Sequence, residues 1–138
     1  MLTVTYTSSF MYRDHGNGPF PTLQVEIVNA ADPSLRVNVD AYLDTGASRS
    51  VFFGWIPEAI GLNILDGQPL SYVNNMGQSE DGRILSVIIN HPDLGEFPID
   101  IGFAMWNPSR SLLGRDFLNL IQVGFRESQF EFHIEASP

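Results

Sequence analysis

Apolar and polar residues alternate with a period of two along most of this chain, the pattern of strands with one buried face. Leu2, Val4 and Tyr6 alternate with threonines, and Leu23, Val25 and Ile27 with Gln24 and Glu26. Leu35, Val37, Val39, Ala41 and Leu43 form the longest regular series, with Arg36, Asn38, Asp40 and Tyr42 between them. A more continuous apolar run covers 84–89, and alternation returns at Phe97, Ile99, Ile101 and Phe103 and at Phe130, Phe132 and Ile134. Turn residues separate these segments. Asp14-His15-Gly16-Asn17-Gly18-Pro19 reads as a loop. The stretch 29–34, with Asp32-Pro33, joins two alternating strands and predicts a hairpin. The glycine-flanked GQSEDG at 77–82 predicts a second hairpin, between strands at 69–75 and 83–90. Helix is confined to two short windows. One is 57–62, opened by Pro57 and closed near Gly61, and the other is 115–121, where Phe117, Leu118 and Ile121 have helical spacing. The expectation is a mostly β fold with one or two short helices, built as a single domain over 1–138 without repeats or linkers.

Composition narrows the function classes. Sixteen acidic residues face seven basic ones, a net charge of −9, and every basic residue is an arginine. Nucleic acid and anionic membranes are disfavoured partners for such a surface. Without lysine there is no Schiff-base chemistry and no Walker-type phosphate loop, and without cysteine no disulfide, thiolate metal site or cysteine nucleophile. No apolar run reaches the roughly 18 residues of a membrane span, and the N-terminus has no signal-peptide pattern, so a cytoplasmic location is expected. His15, His91 and His133 lack metal-ligand spacing, so no metal or other cofactor is expected. Ser48 and Ser50 have no nearby histidine to activate them, which argues against a serine hydrolase. Trp55 and Trp106 read as packing residues.

The strand 35–43 runs directly into Asp44-Thr45-Gly46-Ala47-Ser48. Continued alternation turns Asp44 away from the aliphatic face at the point where the strand ends. Gly46 allows a tight turn in which backbone amides approach the carboxylate, and Thr45 and Ser48 supply hydroxyls. Alone, such a triplet is also an ordinary Asx or ST turn. It is followed by the hairpin NNMGQSEDGRI, the strand FPIDIGFAM, and then SLLGRDFL, where two aliphatic residues and a glycine open into a short helix.

This ordered set, AYLDTGAS, then the glycine-bearing hairpin, then SLLGRDFL, resembles the retropepsin-like aspartic peptidases, retroviral and cellular, over roughly 23–134. The resemblance implies a closed or partly open β-barrel with a flap hairpin and peptide-hydrolase activity at acidic pH. It implies that Asp44, Thr45 and Gly46 are catalytic, and that Ala47, Ser48, Met76, Gly77, Gln78 and Leu113 contact a peptide or protein substrate. Val51, Phe52 and Ile84 are further expected wall residues. Only one Asp-Thr-Gly is present, so a two-carboxylate site needs a second copy, and a homodimer pairing Asp44 across a two-fold axis is expected. The same scaffold also serves the competing reading, a non-catalytic peptide-binding or dimerisation domain. Two departures stand out. Retroviral members carry an Asp after D-T-G-A that pairs with the arginine of G-R-D. Here that place is Ser48, so Arg115 is expected to find another acid. The stretch 55–65 is also longer than in retroviral forms. The terminal strands 2–7 and 130–134 are expected either to interleave between two copies or to pair within one chain. The acids Glu80 and Asp81 are expected at the flap tip.

Overall fold

The computed structural model describes residues 5–73, 76–106, 108 and 110–136. The strands in chain order are β1 (Ser8–Met11), β2 (Arg13–Asp14), β3 (Pro19–Phe20), β4 (Thr22–Val28), β5 (Arg36–Leu43) and β6 (Val51–Phe52). There follow helix α1 (Ile56–Ala59), β7 (Gln68–Val73), β8 (Ser79–His91), β9 (Gly95–Ala104), β10 (Ser111–Leu113), helix α2 (Arg115–Leu118), β11 (Gln122–Arg126) and β12 (Glu131–Glu135). Single 3-10 turns occupy Ile64–Asp66 and Glu127–Gln129.

The predicted hairpin at 29–34 joins β4 and β5, which pair from Thr22↔Tyr42 to Val28↔Arg36. Its turn is closed by Asn29, whose Oδ1 accepts from the amides of Ala31 and Asp32. β10 then lies parallel to β5, with Leu113 opposite Leu43, and β6 borders its other edge. β6 runs parallel to β9, β9 antiparallel to β8, and β8 returns to β4 through Glu26↔Asn90 and Val28↔Ile88. The sheet is thereby closed into a barrel, a geometry that leaves few free strand edges. β7 pairs with the first half of β8 as a projecting hairpin, Val73 opposite Ser79.

Period-two alternation delivers Leu23, Val25 and Ile27 from β4 and Val39, Ala41 and Leu43 from β5 to one interior. They meet Phe52, Ile89, Ile101, Phe103, Leu113 and Phe117. Each large side chain withdrawn there contributes about 1.5–3 kcal/mol of transfer free energy. Both predicted helices exist as single turns. α1 is anchored by buried Ile56 and Ile60, and Asn29 Nδ2 donates to the Ile60 carbonyl at 2.8 Å. Gly61, at φ +78°, ends it sooner than the predicted window. α2 stops at Leu118 rather than 121, because Ile121 is drawn back into the core just before β11.

The termini depart from the expected spacing. Residues 1–4 lie outside the described residues, 5–7 join no ladder, and the N-terminal strand is Ser8–Met11. Pairing Phe10 with Phe132 selects this register, since their rings stack at a centroid distance of 5.1 Å. β12 is the middle strand of a three-stranded sheet, flanked by β1 and β11 of the same chain. The strand expected at 130–134 pairs within the chain, with Ser8–Met11 rather than with the expected 2–7. The second hairpin is longer than predicted on its C-terminal side. Glu80 and Asp81 belong to β8, opposite Tyr72 and Ser71, rather than to the tip; Asn74 and Asn75 lie outside the described residues. Among the described residues no helix is long and apolar enough to cross a membrane.

Candidate active site

Asp44 is held at the end of β5 by backbone and by its own carboxylate. Its N–H donates to the Leu113 carbonyl at 2.9 Å, which extends the β5–β10 ladder by one residue. Alternation therefore carries Asp44 to the same side as Asp40 and Tyr42, away from Leu43 and the core. Asp44 Oδ1 accepts from the Gly46 amide at 2.9 Å, and its carbonyl accepts from Ala47 at 3.2 Å. A Cβ on Gly46 would lie 3.2 Å from that same Oδ1, so glycine gives the carboxylate room inside its own turn. Asp44 is half-buried, and Thr45, Gly46 and Ser48 are exposed.

A second layer fixes the loop from below. Ser50 is fully buried, and its Oγ accepts from Gly114 N at 2.9 Å while donating to Asp116 Oδ1 at 2.7 Å. The Ser50 amide donates to both Asp116 oxygens, at 2.9 and 3.0 Å, and Arg115 N donates to the Ala47 carbonyl at 2.8 Å. The D-T-G-A-S loop and the residues after it are thus clamped against the start of α2, the Ser50–Asp116 bonds spanning 66 residues of sequence. Ser50→Ala removes the Oγ that accepts from the buried Gly114 N–H, so a loss of about 1–3 kcal/mol is expected. Urea titration checks it, with Ser50→Thr retaining most of the stability; an unchanged midpoint for Ser50→Ala would refute the clamp.

Arg115 departs from the expected ion pair. Its Nη1 donates to the Thr45 carbonyl at 2.9 Å, and no acid among the described residues lies within ion-pair distance. The reason is positional: the guanidinium reaches a backbone carbonyl of the loop where a carboxylate at 48 is absent. Leu113 contributes through its backbone, because its side chain, like that of Phe52, is fully buried in the core and presents no open face. Val51 is also buried, and Ile84 is half-buried. The hairpin tip is open: Met76 is 78% exposed, and Gly77 adopts φ +77°. At its base, burial raises the Tyr72 phenol above its ordinary pKa, with Trp106 beside it opposing the shift. Among the described residues no group of three or more acids or histidines is placed to hold a metal ion.

Sequence reasoning did not single out Ser50 and Asp116 as partners, nor a depression of about 580 Å³ beside β5 lined by His15, Asp40, Tyr42, Trp55 and Arg110, among others. A second depression, of about 480 Å³, lies around Phe10, Gln24 and His91, away from the loop. There burial lowers the His91 pKa, and its Nδ1 accepts from the Asp93 amide at 3.1 Å.

Two solved structures share this fold. A retropepsin-like aspartic protease from Rickettsia conorii superposes with a TM-score of 0.62, covering 97% of this chain and 96% of that one at 14% identity. The fold is retropepsin-like. The EIAV protease, solved with the inhibitor HBY-793, also superposes, with a TM-score of 0.53 at 20% identity, covering 78% of this chain and 92% of its own. No protein-family model matches the chain, and neither does any curated protein sequence. The retropepsin-like fold is thus carried here by a sequence with little residue identity to those structures.

Proposed function

We propose that this chain is an aspartic endopeptidase, one domain over 1–138, active as a homodimer in which Asp44 of each copy supplies one carboxylate. The observation that carries this reading is Asp44 itself, turned off the core at the end of β5 and held in an Asp-Thr-Gly turn within a retropepsin-like fold. Two carboxylates about 4 Å apart repel by about 4 kcal/mol at an effective dielectric near 20. Such repulsion disfavours two charges at once, so one member ionises while the other keeps its proton. The ionised member takes a proton from a water, which attacks the scissile carbonyl, and the protonated member donates to the carbonyl oxygen. The proton then passes to the leaving nitrogen as the amide bond breaks.

Thr45 is assigned to bonding across the axis, and its exposure leaves the hydroxyl accessible for that. Ala47 and Ser48 line the floor for an extended peptide, with Met76, Gly77 and Gln78 closing over it as a flap. The exposed hairpin tip suits that motion. No cofactor enters the scheme. The test is cleavage of a mixed peptide library between about pH 3 and 7 at falling protein concentration. Specific activity is expected to drop on dilution in step with dimer dissociation, read by sedimentation velocity. Activity per chain that is unchanged in a monomeric sample would end the shared-dyad reading. A folded dimer that cuts nothing would favour the non-catalytic scaffold.

A further inference from the structure

We propose that the depression beside β5 is a specificity subsite for a carboxylate side chain of the substrate, anchored by Arg110. The inference rests on the peptidase reading and names the substrate chemistry of that same site. Its placement comes from strand parity. Asp40 and Tyr42 line the depression, and Asp44 follows on the same side of the same ladder. Tyr42 is opposite Leu112 in β10, and Arg110 enters from the residues just before that strand. A peptide crossing Asp44 therefore runs past the mouth of this depression.

Its chemistry is specific. The Arg110 guanidinium carbon lies 4.8 Å from the centre of the Tyr42 ring. Stacking of this kind holds the planar fork in one orientation, so less freedom is lost when it grips a carboxylate. No described acid lies within ion-pair distance of Arg110. The acid in the lining, Asp40, is already engaged by Arg13 at 3.5 Å and His15 at 3.4 Å. Phe53 and Trp55, with rings stacked at 6.3 Å, give the depression an aromatic wall.

In a chain of net charge −9, Arg49 and Arg115 also border the Asp44 loop. Arg49 Nη1 donates to the Asp100 carbonyl and Arg115 Nη1 to that of Thr45, so both use backbone acceptors and keep their positive charge. These arginines stand among the carboxylates of Asp44 and Asp116, and of the three only Arg110 lines the depression.

The test is fluorescence anisotropy with labelled decapeptides, each placing Glu or Gln at one position in turn, on the full chain carrying Asp44→Asn so that nothing is cut. At one position the Glu peptide is expected to bind about tenfold tighter than its Gln twin. Adding Arg110→Gln should reduce that ratio to below about twofold, and Arg110→Glu should turn the preference toward an arginine peptide. Arg110→Lys should restore part of the ratio, which separates lost charge from a disturbed fold. A Glu-to-Gln ratio that survives Arg110→Gln overturns the proposal, as does the lack of any position that prefers Glu. A ratio that behaves as expected, from a wild type that never cleaves, keeps the subsite and removes the peptidase. Cleavage by wild type with no preference for Glu removes the subsite alone.

Discussion

Asp44→Asn is expected to abolish peptide cleavage across the acidic range while leaving the chain folded. The catalytic loss follows from the proposed dyad. In a homodimer both members change together, so the site has neither an ionised carboxylate to activate water nor a protonated one to donate to the carbonyl. A loss of about a thousandfold or more is the scale expected when general acid and base are removed together. The fold should survive because Asn keeps the turn: its Oδ1 can accept from Gly46 N as Asp44 Oδ1 does at 2.9 Å. The backbone bond from residue 44 to Leu113 does not involve the side chain at all.

Mixing adds a sharper form of the same test. With a ninefold excess of Asp44→Asn chains, random pairing leaves roughly a tenth of wild-type chains in intact homodimers, and activity per wild-type chain should fall in proportion. Activity that depends only on the amount of wild type would show that one chain carries the whole site. Residual cleavage by the variant alone, at the wild-type rate, would place the chemistry elsewhere.

The legible parts of this fold were those with one wet and one dry face. β5 reads cleanly from sequence because Val39, Ala41 and Leu43 are buried while Asn38, Asp40 and Tyr42 point the other way. The same alternation fixed the side on which Asp44 emerges. The start of β8 is not legible for the converse reason: Ser79, Glu80 and Asp81 project in a hairpin with little burial on either face, so no apolar rhythm marks them. The alternation at 2–6 in the sequence does not determine the described N-terminal ladder, in which Phe10 pairs with Phe132. The clamp and the subsite were invisible for a deeper reason. Ser50 meets Asp116 across 66 residues, and His15, Tyr42, Trp55 and Arg110 come from four separated segments. No local pattern encodes such meetings; barrel closure does.

Gly114 is where that closure can be broken with one methyl group, and Gly114→Ala is expected to cost about 3–5 kcal/mol. Its backbone, at φ −94° and ψ −170°, is open to any residue, so dihedral strain is not the cause. Space is. A Cβ would lie 2.7 Å from the Arg49 carbonyl carbon, 2.8 Å from the Arg49 oxygen and 2.9 Å from the Ala47 oxygen. All three are main-chain atoms and cannot swing aside as a side-chain tip would. Relief requires the β10–α2 junction to back away from 47–50, which weakens the Arg115–Ala47 bond and the Ser50–Asp116 clamp together. The melting temperature should fall by more than about 10 °C, and cleavage should be lost even where the chain remains folded, because the Asp44 loop no longer has its support. Gly16→Ala is the matched control. Gly16 has φ +104° with nothing within 4 Å of a Cβ, so only local strain of about 1 kcal/mol is expected there. If Gly114→Ala melts no lower than Gly16→Ala, the close approach of these two backbones is not what holds Asp44 in place.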